Sequence, residues 1–223
     1  MRRQKLVKKF ETIPQPPYMS KETEIILPPK LEHSIAIHEG GHAIILYMLE
    51  DEADFLLDGI TIKEKDGNFG AVLVTDKPEA NQPTLTNLKA YITYLYGGLN
   101  AERLFLKTGD QTAGSHKDLS TATKIAGDIV KMLGLSNNLI PADYNALLDK
   151  NQSPTLVKKI NLEILNILDE CNKRAHKILE ENHDNVLALA DEIIKRKTMN
   201  RQEVFDFLNH LQKQPTQQME IIF

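Results

Sequence analysis

Three features that many proteins have are scarce or missing in this 223-residue chain. Its single cysteine, Cys171, cannot form an internal disulfide, so we expect a reducing compartment, the cytoplasm. We expect no transmembrane segment, because the richest apolar stretch, Ile35–Leu49, is interrupted by His38, Glu39 and His42. The net charge of −4 leaves no basic excess, which argues against a nucleic-acid partner.

The start of the chain differs in composition from the rest. Half of the ten prolines fall within the first 29 residues, and proline disfavours helix in the residue before it. Several basic residues cluster there: Arg2, Arg3, Lys5, Lys8 and Lys9. These features predict an extended, proline-rich, basic leader over 1–29. A folded domain over 30–211 and a loose, glutamine-rich tail over 212–223 are predicted to follow.

Hydrophobic periodicity predicts a mainly α-helical domain. In most segments apolar residues recur at steps of three and four, as on one face of a helix. One stretch alternates instead, on both sides of Asp66-Gly67, and predicts a β-hairpin over about Gly59–Thr75. The predicted helices are 30–49, Leu85–Leu106, 115–133, Pro154–Glu181, Asp184–Arg196 and Arg201–Leu211, with a loop over 135–153. The predicted architecture is a helical-bundle-like domain with one small hairpin.

The strongest local motif is His38-Glu39-Gly40-Gly41-His42, within the first predicted helix. Residues four apart lie on the same face of a helix, so both imidazoles can reach one cation. Glu39 lies about 100° further round the helix, near the cation but not in a ligand position. Zinc lowers the pKa of a bound water to about 7, and a neighbouring carboxylate can then accept its proton. The motif therefore predicts a zinc site with Glu39 as general base.

The alternative is a helical structural module without a metal, in which these polar residues align by chance. It leaves unexplained why two imidazoles interrupt an apolar stripe, where an unpaired imidazole is costly to bury. It also leaves unexplained Gly40 and Gly41, each of which lowers helix propensity by about 0.8–1.0 kcal/mol relative to alanine. Glycines in the middle of a helix indicate the close approach of a neighbour or ligand, so we favour the metal site.

A catalytic zinc needs a third protein ligand and an open position for water. One class of such enzymes has a glycine and a histidine three and six residues after the second histidine; Ile45 and Met48 exclude this class. His33 lies about 140° round the helix from His38 and points elsewhere. Asp118 and Glu102 remain as candidates, and spacing alone does not choose between them. Two imidazoles and a carboxylate suit Zn²⁺.

Four separated motifs occur in a characteristic order. They are the histidine pentad, Gly97–Glu102, Thr112–Leu119 with Ala122-Thr123, and Arg174–Leu179 with Leu187–Ala190. Together they resemble the peptidase domain of the FtsH-type ATP-dependent zinc metalloproteases, over about residues 30–211. Four motifs in one order are far more specific than the pentad alone.

The resemblance implies a role for each candidate residue. The expected zinc ligands are His38, His42 and Asp118. Glu39 is the expected general base, and Glu102 is expected to orient a ligand or tune its basicity. Ser115 and Asp118 can also pair at a helix start as in a capping box, and the two roles of Asp118 can coexist. The remaining histidines of the folded domain's second half are expected at the surface: His116, His176, His183 and His210.

The resemblance also concerns substrate and assembly. The segment Phe69–Val74 resembles the family's edge strand beside the metal, with which an extended polypeptide substrate can pair through main-chain hydrogen bonds. The alternative for this segment is an ordinary packed hairpin. Because the relatives form hexameric rings, the resemblance implies a homo-oligomer, with a hexamer as the expected size.

The sequence departs from the family pattern in three places. Relatives carry an ATPase module before the peptidase, but this chain contains no Gly-Lys dipeptide and hence no G-x-x-x-x-G-K-[ST] phosphate loop. Gly40 replaces a usual alanine and Leu99 a usual arginine, and neither change removes a proposed ligand. The predicted function is a zinc metalloendopeptidase acting on unfolded or short polypeptides. The alternative is a zinc-containing subunit or modulator of a separate ATP-dependent protease, with little activity of its own.

Overall fold

The computed structural model describes residues 27–213 except 66–67, 79, 81 and 149–152. The predicted leader up to residue 26, the tail beyond residue 213 and the predicted turn at Asp66-Gly67 lie outside these residues. The described helices are α1 (Pro29–Met48), α2 (Leu85–Leu95), α3 (Gly97–Phe105), α4 (His116–Lys131), α5 (Tyr144–Leu148), α6 (Pro154–Glu181), α7 (His183–Arg196) and α8 (Arg201–Lys213). The described strands are β1 (Phe55–Lys65), β2 (Asn68–Asp76) and β3 (Thr198–Asn200). The prediction of a mainly α-helical domain with one small hairpin is confirmed, and a third strand extends the hairpin to a small sheet.

Helix α1 runs through the centre of the fold. Every residue from Ala36 to Leu46 is buried, including the whole histidine pentad. Such burial on all sides requires neighbours around the helix, and α1 packs against α3, α7, β1 and β2. Pro29 occupies the first turn of α1, where a missing N–H costs no hydrogen bond.

The glycines of α1 and α3 allow these two helices to touch. A Cβ at Gly41 would lie 2.5 Å from Ala101 Cβ and 2.6 Å from the Gly97 carbonyl oxygen. A Cβ at Gly97 would in turn lie 2.9 Å from His42 Cα. The helix backbones therefore meet at a distance that no larger side chain permits, which accounts for a residue of low helix propensity at the crossing.

The predicted single helix Leu85–Leu106 is wrong, because the chain forms two helices that divide at Tyr96. The two segments pack in different places: α2 lies against α4 and α6, whereas α3 lies against α1. The change of direction brings Gly97 and Gly98 onto the histidine-bearing helix. The apolar stripe continues across the break, which is why periodicity alone predicts one helix.

The sheet is antiparallel in the order β2-β1-β3. The predicted hairpin is present and longer than expected, since its strands extend from Phe55 to Asp76. The third strand, β3, was not predicted; its three residues pair with Gly59–Thr61 of β1. The outer edge of β2 pairs with no other strand in the described part of the chain, so β2 is an edge strand.

The buried side chains form two clusters. The first surrounds α1 and includes β1, α7 and α8, and the second lies between α2, α4 and α6. The long helix α6 contributes Cys171 to the second cluster and Ala175 to the first. Among the described residues, no helix is both long and apolar enough to span a membrane.

The predicted loop over 135–153 is wrong in part, because it contains the one-turn helix α5. Tyr144 begins this helix and is buried in the second cluster. Its hydroxyl donates a hydrogen bond to the Ile140 carbonyl, 2.6 Å away. A single buried aromatic residue thus anchors α5, and one residue gives no periodicity from which a helix could be predicted.

Candidate metal centre

Three potential metal ligands meet beside α1. His38 and His42 follow one another on one face of the helix, and their Nε2 atoms are 3.1 Å apart. Asp118 comes from the first turn of α4, and its Oδ2 lies 3.6 Å from His38 Nε2 and 3.5 Å from His42 Nε2. All three ligand atoms lie within 4.8 Å of one another. The structure therefore brings together the local histidine pair and one of the two distant carboxylates.

The other distant carboxylate, Glu102, lies behind the cluster. Its Oε1 is 2.6 Å from His38 Nδ1, the ring nitrogen that faces away from Asp118. Glu102 is fully buried, and Thr112 holds it with a backbone N–H at 2.5 Å and a hydroxyl at 3.0 Å. A carboxylate on the outer nitrogen of a histidine orients the ring and fixes which nitrogen faces the metal.

His42 is oriented in the same manner by the backbone. Its Nδ1 donates to the Tyr94 carbonyl oxygen, 2.8 Å away, so that Nε2 faces the cluster. Sequence reasoning did not find this carbonyl, because a backbone acceptor leaves no pattern in the sequence. It also gave no role to Thr112, although this residue lies in one of the motifs.

Gly98 makes room for the ring of His38. A Cβ at this position would lie 2.4 Å from both Nε2 and Cε1 of His38. The two glycines that follow the break at Tyr96 thus serve two purposes. Gly97 allows α1 and α3 to cross in close contact, and Gly98 leaves space for the His38 imidazole to reach Glu102.

The predicted capping pair at the start of α4 is wrong. Ser115 precedes the helix but makes no side-chain capping hydrogen bond. Its Oγ is buried and has no partner among the described residues. The Asp118 carboxylate reaches the two imidazoles across the site, so the residue does not complete a capping box at its own helix.

Glu39 lies next to the cluster, under strand β2. It is buried, and it accepts a backbone hydrogen bond from Val72. At Gly70, where φ is +83°, a Cβ would lie 2.7 Å from Glu39 Oε1, so this position needs glycine for both conformation and space. Burial raises the pKa of Glu39, although the two neighbouring imidazoles oppose this shift.

The ligand residues also perturb one another. Burial alone would lower the pKa of His38, but its interactions with Asp118 and Glu102 raise it to about 9. Burial alone would raise the pKa of Asp118, but the two imidazoles lower it below its usual range. The site is therefore built to hold positive charge between carboxylates.

A cleft of about 820 Å³ opens over these residues. Gly70 and its neighbours on β2 form part of the wall, and Thr112–Gly114 and the start of α4 form another part. Several lining side chains are apolar or aromatic: Leu31, Ile35, Phe69, Leu73 and Tyr94. The cluster thus faces a space large enough for a peptide segment, and it is not sealed within the core.

The other histidines are not part of the metal cluster. His33 is on α1 but is not part of it. The four histidines expected at the surface are exposed: His116, His176, His183 and His210. His116 also lines the cleft, two residues before Asp118.

Comparison with known proteins decides the family. The model of Peptidase family M41 matches residues 25–207. This chain belongs to peptidase family M41. The predicted resemblance to an FtsH-type peptidase domain is thereby confirmed.

The M41 chain is similar to ATP-dependent zinc metalloproteases from several organisms. It is 29% identical to FtsH of Bacillus subtilis (strain 168), over 83% of this chain and 30% of that protein. It is 28% identical to YME1L of Drosophila melanogaster, over 92% of this chain and 28% of that protein. It is 29% identical to the YME1 homolog of Caenorhabditis elegans, over 76% of this chain and 24% of that protein. The M41 chain thus spans less than a third of the length of these relatives.

The donor set of this M41 chain fits zinc, the metal in the names of these relatives. Two imidazole nitrogens and one carboxylate oxygen are the ligand types that zinc takes in hydrolases, with a fourth position left for water. The outer nitrogens of both histidines are already hydrogen-bonded, as is typical of zinc-binding histidines. The geometry of the donor atoms and the chemistry of their partners agree.

Proposed function

We propose that this M41 domain is a zinc metalloendopeptidase that hydrolyses peptide bonds in unfolded or short polypeptides. One observation carries the proposal: two imidazoles and a distant carboxylate converge beside a buried glutamate in an open cleft. The names of the M41 relatives, which are zinc metalloproteases, support it.

His38, His42 and Asp118 would hold the Zn²⁺ ion. Bound zinc polarises the scissile carbonyl and makes water available as a nucleophile near neutral pH. Glu102 keeps the His38 ring in place through Nδ1, and Thr112 keeps Glu102 in place. These two residues act on the metal site by positioning a ligand.

Glu39 would transfer the proton. Its carboxylate accepts a proton from the attacking water as the water oxygen bonds to the carbonyl carbon. The same carboxyl then gives this proton to the amide nitrogen as the C–N bond breaks. Burial raises the pKa of Glu39 towards the working pH, which suits a group that must both accept and release a proton.

Strand β2 would bind the substrate backbone. Its outer edge has no strand partner among the described residues, and Gly70–Leu73 line the cleft beside Glu39. An extended polypeptide that pairs with this edge would be held by main-chain hydrogen bonds, which depend little on side-chain sequence. Only a chain that is already unfolded can adopt this extended form, so unfolded or short polypeptides are the proposed substrates.

We also propose that the protein is cytoplasmic and forms a homo-oligomer, with a hexamer as the expected size. A separate ATPase chain is a candidate partner. The single cysteine supports a reducing compartment, since Cys171 is buried and unpaired. A second candidate function, a zinc-containing subunit or modulator of such an ATPase-driven protease, predicts bound zinc with little cleavage by this chain alone.

Casein cleavage tests the proposed function. Purified zinc-loaded protein should degrade casein, and a chelator should abolish the activity. Glu39→Gln should retain one zinc per chain and lose cleavage, because the amide of glutamine is not basic enough to accept the proton of the water. One zinc per chain without cleavage by the wild type would favour the subunit role. A protein that binds no zinc after expression with added zinc would contradict both functions.

A further inference from the structure

Tyr94 is an aromatic residue of the cleft that the proposed mechanism does not use. It lies at the end of α2 and lines the same cleft as Glu39 and the metal cluster. Its ring centroid is 5.0 Å from that of His42 and 5.4 Å from that of Phe55. The side chain therefore stands directly beside one of the proposed zinc ligands.

The hydroxyl of Tyr94 has no hydrogen-bond partner among the described residues, and the side chain is partly exposed where it lines the cleft. Its backbone carbonyl, by contrast, accepts the hydrogen bond from His42. A tyrosine in such a place has an apolar ring that packs against its neighbours and a hydroxyl that can donate a hydrogen bond to a bound molecule. Phenylalanine would pack in the same place, so the hydroxyl is the feature of this residue that a substrate in the cleft can use.

The surroundings of the hydroxyl indicate where its partner would be. Tyr94 lines the cleft together with Glu39, His42 and Asp118, and its ring lies beside that of His42. Burial raises the pKa of Tyr94, and the carboxylates of Glu39 and Asp118 raise it further. A peptide paired with the edge strand β2, as proposed above, would place its scissile carbonyl in this part of the cleft.

We propose that the Tyr94 hydroxyl is a catalytic hydrogen-bond donor to the carbonyl oxygen of the scissile peptide bond, an inference that rests on the proposed function. When the water oxygen bonds to the carbonyl carbon, the π-electron pair moves to the carbonyl oxygen and the water proton moves to Glu39. Tyr94 donates a hydrogen bond to this oxygen and keeps its own proton. When the C–N bond breaks, the pair returns to re-form C=O and the proton on Glu39 passes to nitrogen.

Two features fit Tyr94 to this role. Its position is fixed before substrate arrives, because the carbonyl of the same residue is tied to His42 and the ring packs against Phe55 and Tyr91. A donor held in place contributes most where negative charge develops in a site shielded from water. The hydroxyl is protonated at neutral pH and is therefore a donor in the working enzyme.

Tyr94→Phe tests the proposal, with Tyr91→Phe as the matched control. Tyr91 is on the same helix and packs against the same Phe55 ring, but it does not line the cleft. The readouts are zinc content, kcat and KM on a quenched fluorescent peptide built on a casein bond that the wild type cleaves, and Kd for a phosphonamidate peptide. The phosphonamidate mimics the tetrahedral carbon with its charged oxygens, so its binding reports on the donor without turnover.

We expect Tyr94→Phe to keep one zinc per chain and its KM, and to lose about 100-fold in kcat, as for one oxyanion donor. Its phosphonamidate Kd should rise by a similar factor, whereas Tyr91→Phe should match the wild type in every readout. If Tyr94→Phe with full zinc keeps wild-type kcat and phosphonamidate Kd, the inference is wrong and the proposed function still stands. If the zinc-loaded wild type neither cleaves casein nor binds the phosphonamidate, both are wrong. If Tyr94→Phe loses its zinc, the role of Tyr94 is structural and the inference is likewise overturned.

Discussion

Two regions of very different character supply the metal cluster. Helix α1 provides both histidines and Glu39, and it is buried on all sides within the first apolar cluster. Helix α4 provides Asp118, packs chiefly against α2 and α6, and belongs to the second cluster. The histidine pair is fixed by the geometry of a single helical turn, whereas Asp118 reaches the site only when the two clusters are packed together.

This difference separates two contributions to metal binding. The local half of the site exists wherever α1 is helical, and the distant half exists only in the complete tertiary fold. Substitutions in each half, compared with matched substitutions in the same helix, should show how much each contributes.

The largest effect is expected in the local half. His42→Ala removes a ligand and also the hydrogen bond to the Tyr94 carbonyl, so stoichiometric zinc should be lost. Metal analysis after gel filtration measures this loss. His33→Ala, on the same helix but outside the cluster, should keep one zinc per chain. Full zinc in His42→Ala would show that the histidine pair is not the metal site.

Zinc binding should be nearly as sensitive to a substitution of Asp118, in the distant half of the site. Asp118→Ala leaves the two imidazoles without the carboxylate ligand. Zinc affinity should fall by more than the roughly 10–100-fold that is typical when a residue hydrogen-bonded to a ligand is removed. Competition with a chromogenic chelator gives the affinity. Asp128→Ala, in the same helix but paired with Lys124, is the control. Equal zinc affinity in the Asp118 and Asp128 variants would remove α4 from the site.

Glu102→Gln tests how much the carboxylate behind His38 contributes to zinc binding by the histidine pair. This variant keeps the shape of the side chain and removes the charge behind His38, so zinc affinity should fall about 10–100-fold. Glu163→Gln is a matched control, because Glu163 is also a buried carboxylate but is bonded to Ser136 and Asn138. The same chelator competition measures both, and a similar change in the two variants would mean that Glu102 acts on stability alone.

The smallest effects are expected for two glycines. Gly98→Ala places a methyl group against the His38 ring and should lower the free energy of unfolding by about 1–3 kcal/mol, with weaker zinc binding. In Gly127→Ala, in α4, the added methyl group meets only the flexible end of Lys131. This variant should raise the free energy of unfolding by about 0.5–1 kcal/mol. Urea unfolding of both variants measures these changes. A neutral Gly98→Ala would show that the ring of His38 has more room than the structure gives it.

The fold was predictable where structure is local. The bounds of α6 agree with the prediction at both ends, because Pro154 starts the helix and the apolar periodicity persists over its length. The break at Tyr96 was not predictable from periodicity, since it depends on the fit of Gly97 against α1. Strand β3 was not predictable for a similar reason: its three residues are too few to show a periodicity, and they pair with a strand far away in the chain. The boundaries of the leader and the tail stay predictions.

The site divides in the same way. The spacing of His38 and His42 predicts a shared cation from helix geometry alone. Spacing could not choose between Asp118 and Glu102, because both approach through tertiary packing; only the family resemblance assigned Asp118 to the cluster. The backbone carbonyl of Tyr94 has no sequence pattern at all, and the Ser115 pattern suggested a cap that the folded chain does not form.

Anomalous diffraction at the zinc edge, from crystals of the zinc-loaded protein, tests the central claim most directly. The account predicts one strong peak at about 2.0–2.2 Å from His38 Nε2, His42 Nε2 and a carboxylate oxygen of Asp118, with the fourth position open to the cleft. A peak elsewhere, or one bound by the two histidines with Asp118 turned away from the ion, would contradict it.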